Sequence, residues 1–239
     1  MEPNLSNARS NYLYAIIGLG AAALIFILSA WYAGFVPFGT GAMPSLERAV
    51  AFPADFPEAG KAILTSNIEK LRTAIAKNQD DTTSWLDLAI QYKTVGDFEG
   101  AIEIWKYLVS KNPKNSVAYY NLGTTYHLDL KDYSRAEQYL KKAVEVDPGS
   151  ALPYLALGEL YRYSYKQDSS LAADILKQGI AKMQLPQRID LEVALGSYYS
   201  AKSDIANART YLTNARDDAK AAHNTALAAQ LDQQIASLK

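Results

Sequence analysis

The chain has no cysteine. That excludes disulfides, thiolate zinc sites, cysteine nucleophiles and a lipid-modified cysteine anchor. Histidine is nearly absent: His127 and His223 stand far apart, with neither metal-ligand spacing nor a companion motif for a Ser-His-Asp triad. Each reads as a rim or surface residue. An excess of either charge is also missing, since 24 Lys plus Arg face 25 Asp plus Glu. No global field exists for gripping nucleic acid. Phosphate-cradling loops are lacking as well. Gly18-x-Gly20 lies inside an apolar run, and Gly39-x-Gly41 is not followed by a helix with a lysine. The acidic pairs Asp80-Asp81, Asp217-Asp218 and Glu145 with Asp147 read as helix caps and solvated charges rather than acid/base machinery. With no catalytic residue, metal site or cofactor motif, the chain reads as a non-enzyme that needs no cofactor.

What is present begins with residues 12–36, a run of 25 residues without a charge. About 20 apolar residues cross a bilayer core as a helix, so this run suffices with some tilt. Tyr12 and Tyr14 at one end, and Trp31, Tyr32 and Phe35 at the other, fall where interfacial aromatics belong. A cleaved signal peptide is the rival reading. Its apolar core would be only about 7–15 residues long and end at a small-x-small site. Here bulky aromatics occupy that end, and only Thr40-Gly41-Ala42 offers a late site. The expectation is a single-pass membrane anchor behind a short head of residues 1–11. Arg9 before the span favours a cytoplasmic N-terminus and a repeat domain outside the cytoplasm. Residues 37–56, with Pro37, Gly39, Gly41, Pro44 and Pro53, are expected to form a stalk.

The remainder is periodic. Leu88-Ala89 with Tyr92 recurs as Leu122-Gly123 with Tyr126, Leu157-Gly158 with Tyr161, and Leu195-Gly196 with Tyr199. Such a period means stacked helical hairpins, none of which can bury its apolar face alone. A small residue follows in each unit (Ala101, Ala136, Ala172, Ala208), where the two helices of a hairpin must approach. Four residues before each stands an aspartate: Asp97, Asp132, Asp168 and Asp204. All four are predicted N-caps, worth about 1 kcal/mol each against alanine. Pro113 and Pro148 stop the second helix of their units. The predicted domain covers residues 57–239: a half-repeat at 57–81, repeats at about 82–115, 116–150, 151–188 and 189–220, and a capping helix at 221–239. Within it, Trp85, Tyr119 and Tyr154 share one register position, which Glu192 takes in the fourth repeat. These aromatics, with the recurrent tyrosines, read as packing between helices.

On these residues the chain resembles the tetratricopeptide repeat family: Trp/Tyr-x-x-Leu-Gly-x-x-Tyr, the following alanine and the closing proline recur together. The resemblance implies an all-α fold, here a transmembrane helix followed by a right-handed α-solenoid of antiparallel helix pairs. It also implies a protein-binding role, with the groove lined by the first helix of each pair. Carried over by position, the partner-binding residues are Leu86, Ile90, Lys93, Val117, Tyr120, Thr124, His127, Leu155, Glu159, Arg162 and Tyr163, with Leu152, Asp190, Val193, Ser197 and Ser200 alongside. The lysine and asparagine clamp that one subfamily uses for terminal carboxylates is absent, because Leu86 and Ile90 stand in its places.

The functional expectation is a membrane-anchored scaffold in envelope assembly or protein quality control. Its groove would take a helical or extended segment of a partner, unless an internal helix fills it. The alternative is a self-associating membrane protein whose homo-oligomer is the function, to which Gly18 and Ala22 in the span would contribute. A third reading, a glycan-binding or enzymatic module, rests on Tyr161, Tyr163, Tyr165, Arg162 and Lys166. No nucleic acid is expected as a partner.

Overall fold

The computed structural model describes residues 41–239. The expected head at residues 1–11 and membrane anchor at residues 12–36 lie outside the described residues. Among those described, no helix is long and apolar enough to cross a membrane.

Ten α-helices follow one another among the described residues: α1 (Glu58–Lys77), α2 (Thr82–Thr94), α3 (Phe98–Lys111), α4 (Ser116–Thr124), α5 (Tyr133–Val146), α6 (Ala151–Glu159), α7 (Leu171–Lys182), α8 (Ile189–Ala201), α9 (Ile205–Ala221) and α10 (Thr225–Ser237). Each packs on the next, so α2–α3, α4–α5, α6–α7 and α8–α9 are the four repeated hairpins. Helix α1 closes one end and α10 the other. One buried cluster runs from Ile68 and Ile75 of α1 to Leu195 of α8. A second, containing Ile189, Leu212, Ala215, Ala228 and Leu231, holds α8, α9 and α10.

A recurrent turn sets each hairpin. A residue with left-handed backbone precedes the capping residue: Gly96 before Asp97, Lys131 before Asp132, Ser203 before Asp204 and His223 before Asn224. The cap then satisfies two needs. Its backbone N–H donates back to the end of the preceding helix, to Tyr92 O at 2.8 Å, Tyr126 O at 2.8 Å, Tyr199 O at 3.0 Å and Ala219 O at 2.8 Å. Its side chain accepts from the first turn of the next helix, as Asp97 does from Gly100 N at 3.0 Å and Asp132 from Arg135 N at 3.0 Å. His223 is therefore an exposed turn residue.

The third repeat departs from this. Asp168 is exposed, and α7 begins at Leu171 behind Ser170, with no side-chain cap. The predicted cap fails because Asp168 stands seven positions after Tyr161, whereas Asp97 stands five after Tyr92. The excess appears as a π-helical turn at Leu160–Ser164 followed by a bent segment. The second repeat, with one extra residue, absorbs it in a π-helical turn at Thr125–Asp129 and keeps its cap.

Residues 44–56, within the expected stalk, form no helix and are strapped to the array. Leu46 and Val50 pack on the core. Arg48 Nη2 donates to Asp97 Oδ1 at 2.7 Å, and Arg72 of α1 donates to the Arg48 carbonyl. The strap thus joins α1 to the α2–α3 turn, which turn-forming composition alone does not reveal.

Candidate partner-binding face

Helices α2, α4, α6 and α8 turn the same register positions inward. Leu88, Leu122, Leu157 and Leu195 are fully buried, and Gly123, Gly158 and Gly196 let the paired helix come close. Their other side is the predicted groove. Ile90 (44% exposed), Val117 (52%), Leu152 (56%) and Tyr163 (60%) keep much of their surface in water, while Leu86, Tyr120 and Leu155 are half-buried against the core. These apolar side chains stand on the first helix of three successive hairpins, with polar residues between them.

The polar members have distinct fates. Lys93 Nζ pairs with Asp129 Oδ2 at 2.9 Å, tying α2 to the π-helical turn of the next repeat. Thr124 Oγ1 donates to Asn121 O at 3.2 Å. Arg162 Nη2 donates to Ser197 O at 3.0 Å, and its guanidinium lies 4.8 Å from the Tyr163 ring centroid. Glu159 is exposed and has no ion-pair partner among the described residues.

His127 is not the rim residue that its position implies. It is 7% exposed, its Nε2 lies 2.9 Å from Ser164 Oγ, and its ring meets the edge of Tyr133. Burial pushes the imidazole pKa down, against a smaller opposing pull from Glu159, so it is neutral at pH 7. The reason is the π-helical turn that carries it: the extra residue rotates His127 inward and places it opposite Ser164 of the other π-helical turn. Two repeats are thereby bonded through their irregular turns.

Five predicted residues converge: Leu155, Glu159, Arg162, Tyr163 and Ser197 line a cleft of about 270 Å³ with Ala194 and Tyr198 of α8. Leu86, Ile90 and Val117 lie along the same row of helices but outside this cleft.

Two buried polar clusters escape sequence reasoning. Glu137 accepts from Tyr161 Oη at 2.6 Å, Lys141 Nζ at 2.8 Å and Lys166 Nζ at 2.8 Å. Burial alone would raise its pKa, but these three donors hold it down at about 2. The tyrosine-rich patch is divided as a result. Tyr161 and Lys166 are committed to Glu137, Lys166 also covers the Tyr165 ring at 4.7 Å, and Tyr163 faces the cleft. The second cluster is Arg188, Glu192 and Asp218. Asp218 is buried and accepts from Arg188 Nη2 at 2.7 Å, so it is not the solvated charge that its neighbour Asp217 is. Glu192 is 4% exposed and lies 3.7 Å from Arg188 Nε. Burial first, and Asp218 second, push its carboxyl up to about 7. The one available signal was its register position, where Trp85, Tyr119 and Tyr154 are core residues.

Residues 116–150, the α4–α5 hairpin, match the family model for the tetratricopeptide repeat. The crystal structure of MamA superposes with a TM-score of 0.53 at 22% identity, over 70% of this chain and 95% of that one. A thermophilic TPR protein in Thermus thermophilus gives 0.52 at 22% identity, over 73% and 92%. The fold is that of a tetratricopeptide repeat array. No curated protein matches the sequence. In tetratricopeptide terms, α2, α4, α6 and α8 are the A helices and α3, α5, α7 and α9 the B helices; α1 and α10 are the capping half-units.

Proposed function

We propose that the chain is a docking scaffold whose A-helix face receives a segment of another protein. The observation that carries this is the stripe from Leu86 and Ile90 through Val117 and Tyr120 to Leu152 and Leu155. Leu86, Tyr120 and Leu155 are half-buried against the core, but Ile90, Val117 and Leu152 beside them stay exposed, so apolar surface faces solvent on the first helix of three successive repeats. Residues 12–36 anchor the scaffold in a membrane, with the array outside the cytoplasm. This part rests on the uncharged run and its flanking aromatics. A setting in envelope assembly or protein quality control follows from an anchored scaffold of this kind.

The test of docking is affinity capture with the full-length chain against a Tyr120→Ala/Leu155→Ala variant. Polypeptides retained by the native chain and lost by the variant are expected; equal retention by both would remove the groove from the account. For the anchor, protease added to intact protoplasts should digest the repeats. Complete protection would place them on the cytoplasmic side.

A further inference from the structure

The strap shows how a groove away from the A-helix face is filled. It runs antiparallel to α3. Ser110 Oγ, in the last turn of α3, lies 3.7 Å from where a Cβ on Gly41 would stand, and Pro53 lies beside Gly96, ahead of the first turn. Leu46 and Val50 pack inward, Arg48 reaches Asp97 and Glu103, and Arg72 of α1 donates to the Arg48 carbonyl. An extended segment thus lies between α1 and α3.

Register carries the polar pattern of that groove to the one between α5 and α7. Counting from Ala101 and Ala172, Glu103 corresponds to Asp174 and Lys111 to Lys182. Counting back from the C-caps, Arg72 corresponds to Lys141, each standing six residues before its cap. The grooves on either side do not keep the pattern: Gln138 and Val146 take the acid and lysine places on α5, and Thr210 and Asp218 take them on α9.

No strap covers the α5–α7 groove among the described residues. It opens as a cavity of about 420 Å³ floored by Tyr154 and Leu157 and walled by Val144 and Ile175. Ile175 is half-buried there, whereas Ile104, its counterpart on α3, is 1% exposed. Lys141 pairs with Glu137 at 2.8 Å and Glu145 with Lys142 at 2.7 Å. Lys177 lies over the Tyr199 ring at 5.6 Å. That leaves Asp174 near one end and Lys182 at the other, both exposed and without an ion pair among the described residues.

We propose that this groove binds an extended segment of a partner polypeptide with the strap's chemistry: an arginine with an aliphatic residue two positions to either side. On an extended chain these three share one side. The aliphatic pair covers Val144 and Ile175, and the arginine meets Asp174. A backbone carbonyl accepts from Lys141, whose ammonium has protons to spare beside its bond to Glu137. Lys182 stands where the strap's own groove has Lys111, at the end taken by the uncharged residues from Gly41 to Pro44.

The test uses the full-length chain in detergent and a fluorescent peptide with the sequence of residues 42–52. Anisotropy should show saturable binding, weakened about tenfold when the peptide arginine becomes glutamine and by a similar factor in Asp174→Asn. With both changes present the second should add nothing, the mark of a direct pair. Tyr120→Ala/Leu155→Ala should bind the peptide as the native chain does, and circular dichroism checks that Asp174→Asn keeps its helicity. No binding, or binding that Tyr120→Ala/Leu155→Ala abolishes, overturns the proposal. So does binding weakened by Glu103→Gln but not by Asp174→Asn, which is exchange with the chain's own strap. An oligomer of the native chain that Asp174→Asn dissociates in analytical ultracentrifugation also overturns it, because the occupant is then a second copy.

Discussion

Glu192 is where residue chemistry and fold disagree most. It occupies a core position that three sister repeats fill with an aromatic ring, beside Asp218 and a shared Arg188. Its folded-state pKa of about 7 stands above the ordinary 4.5. Between those values the native state binds a proton that the unfolded chain releases, so this group's contribution to stability falls as pH rises through that window. Above it, a buried carboxylate is carried at full cost, on the order of 2 kcal/mol. Glu192→Gln should therefore unfold at a higher temperature than the native chain at pH 8, with the advantage shrinking toward pH 4.5. An advantage that is absent or constant across pH would contradict the assigned cause. Glu137 has the opposite sign. Its carboxylate, held near 2 by Tyr161, Lys141 and Lys166, stabilises the fold above pH 4.5, and the effect is lost as pH falls toward 2.

At the scale of elements, helix pairing depends on how near the B helix comes to the A-helix glycine. A Cβ on Gly123 would lie 2.5 Å from Leu140 Cγ and 3.1 Å from the Leu140 backbone nitrogen, so α4 and α5 would have to part. On Gly158 the nearest atom is Leu176 Cδ2, at 3.1 Å, and that methyl can give way. Replacing helical glycine by alanine gains about 1 kcal/mol of propensity, whereas overpacking costs about 1–3 kcal/mol. Chemical denaturation should find Gly158→Ala nearly neutral and Gly123→Ala destabilised by about 1–2 kcal/mol. Equal effects would mean that the two hairpins relax alike.

The hairpins were legible because Leu, small residue and Tyr recur in register, and because Asp97, Asp132 and Asp204 cap where spacing says they should. Two things were not legible. An extra residue can enter a turn as loop or as a widened helical turn; both π-helical turns took the second course, which moved His127 inward and stranded Glu159 from Arg162. Long-range charge pairing was invisible too. Arg48 with Asp97, and Arg188 with Asp218, join residues far apart in sequence that only the stacked array brings together.

The described residues 41–239 form a one-dimensional stack in which each hairpin touches its neighbours. Such a stack leaves one face of every A helix partly open, and here that face carries exposed apolar residues in three repeats, with a cleft at the third lined by both Glu159 and Arg162. As a docking scaffold, the chain must hold a partner polypeptide along this face. Site-specific photo-crosslinking tests it most directly, with the photoreactive residue placed at Leu155 or Val117 on the A-helix face and, as control, at the exposed turn residue His223. Adducts with a separate polypeptide from both A-helix positions and none from His223 are predicted. Adducts of equal yield from all three positions, or none from Leu155 and Val117, would contradict it.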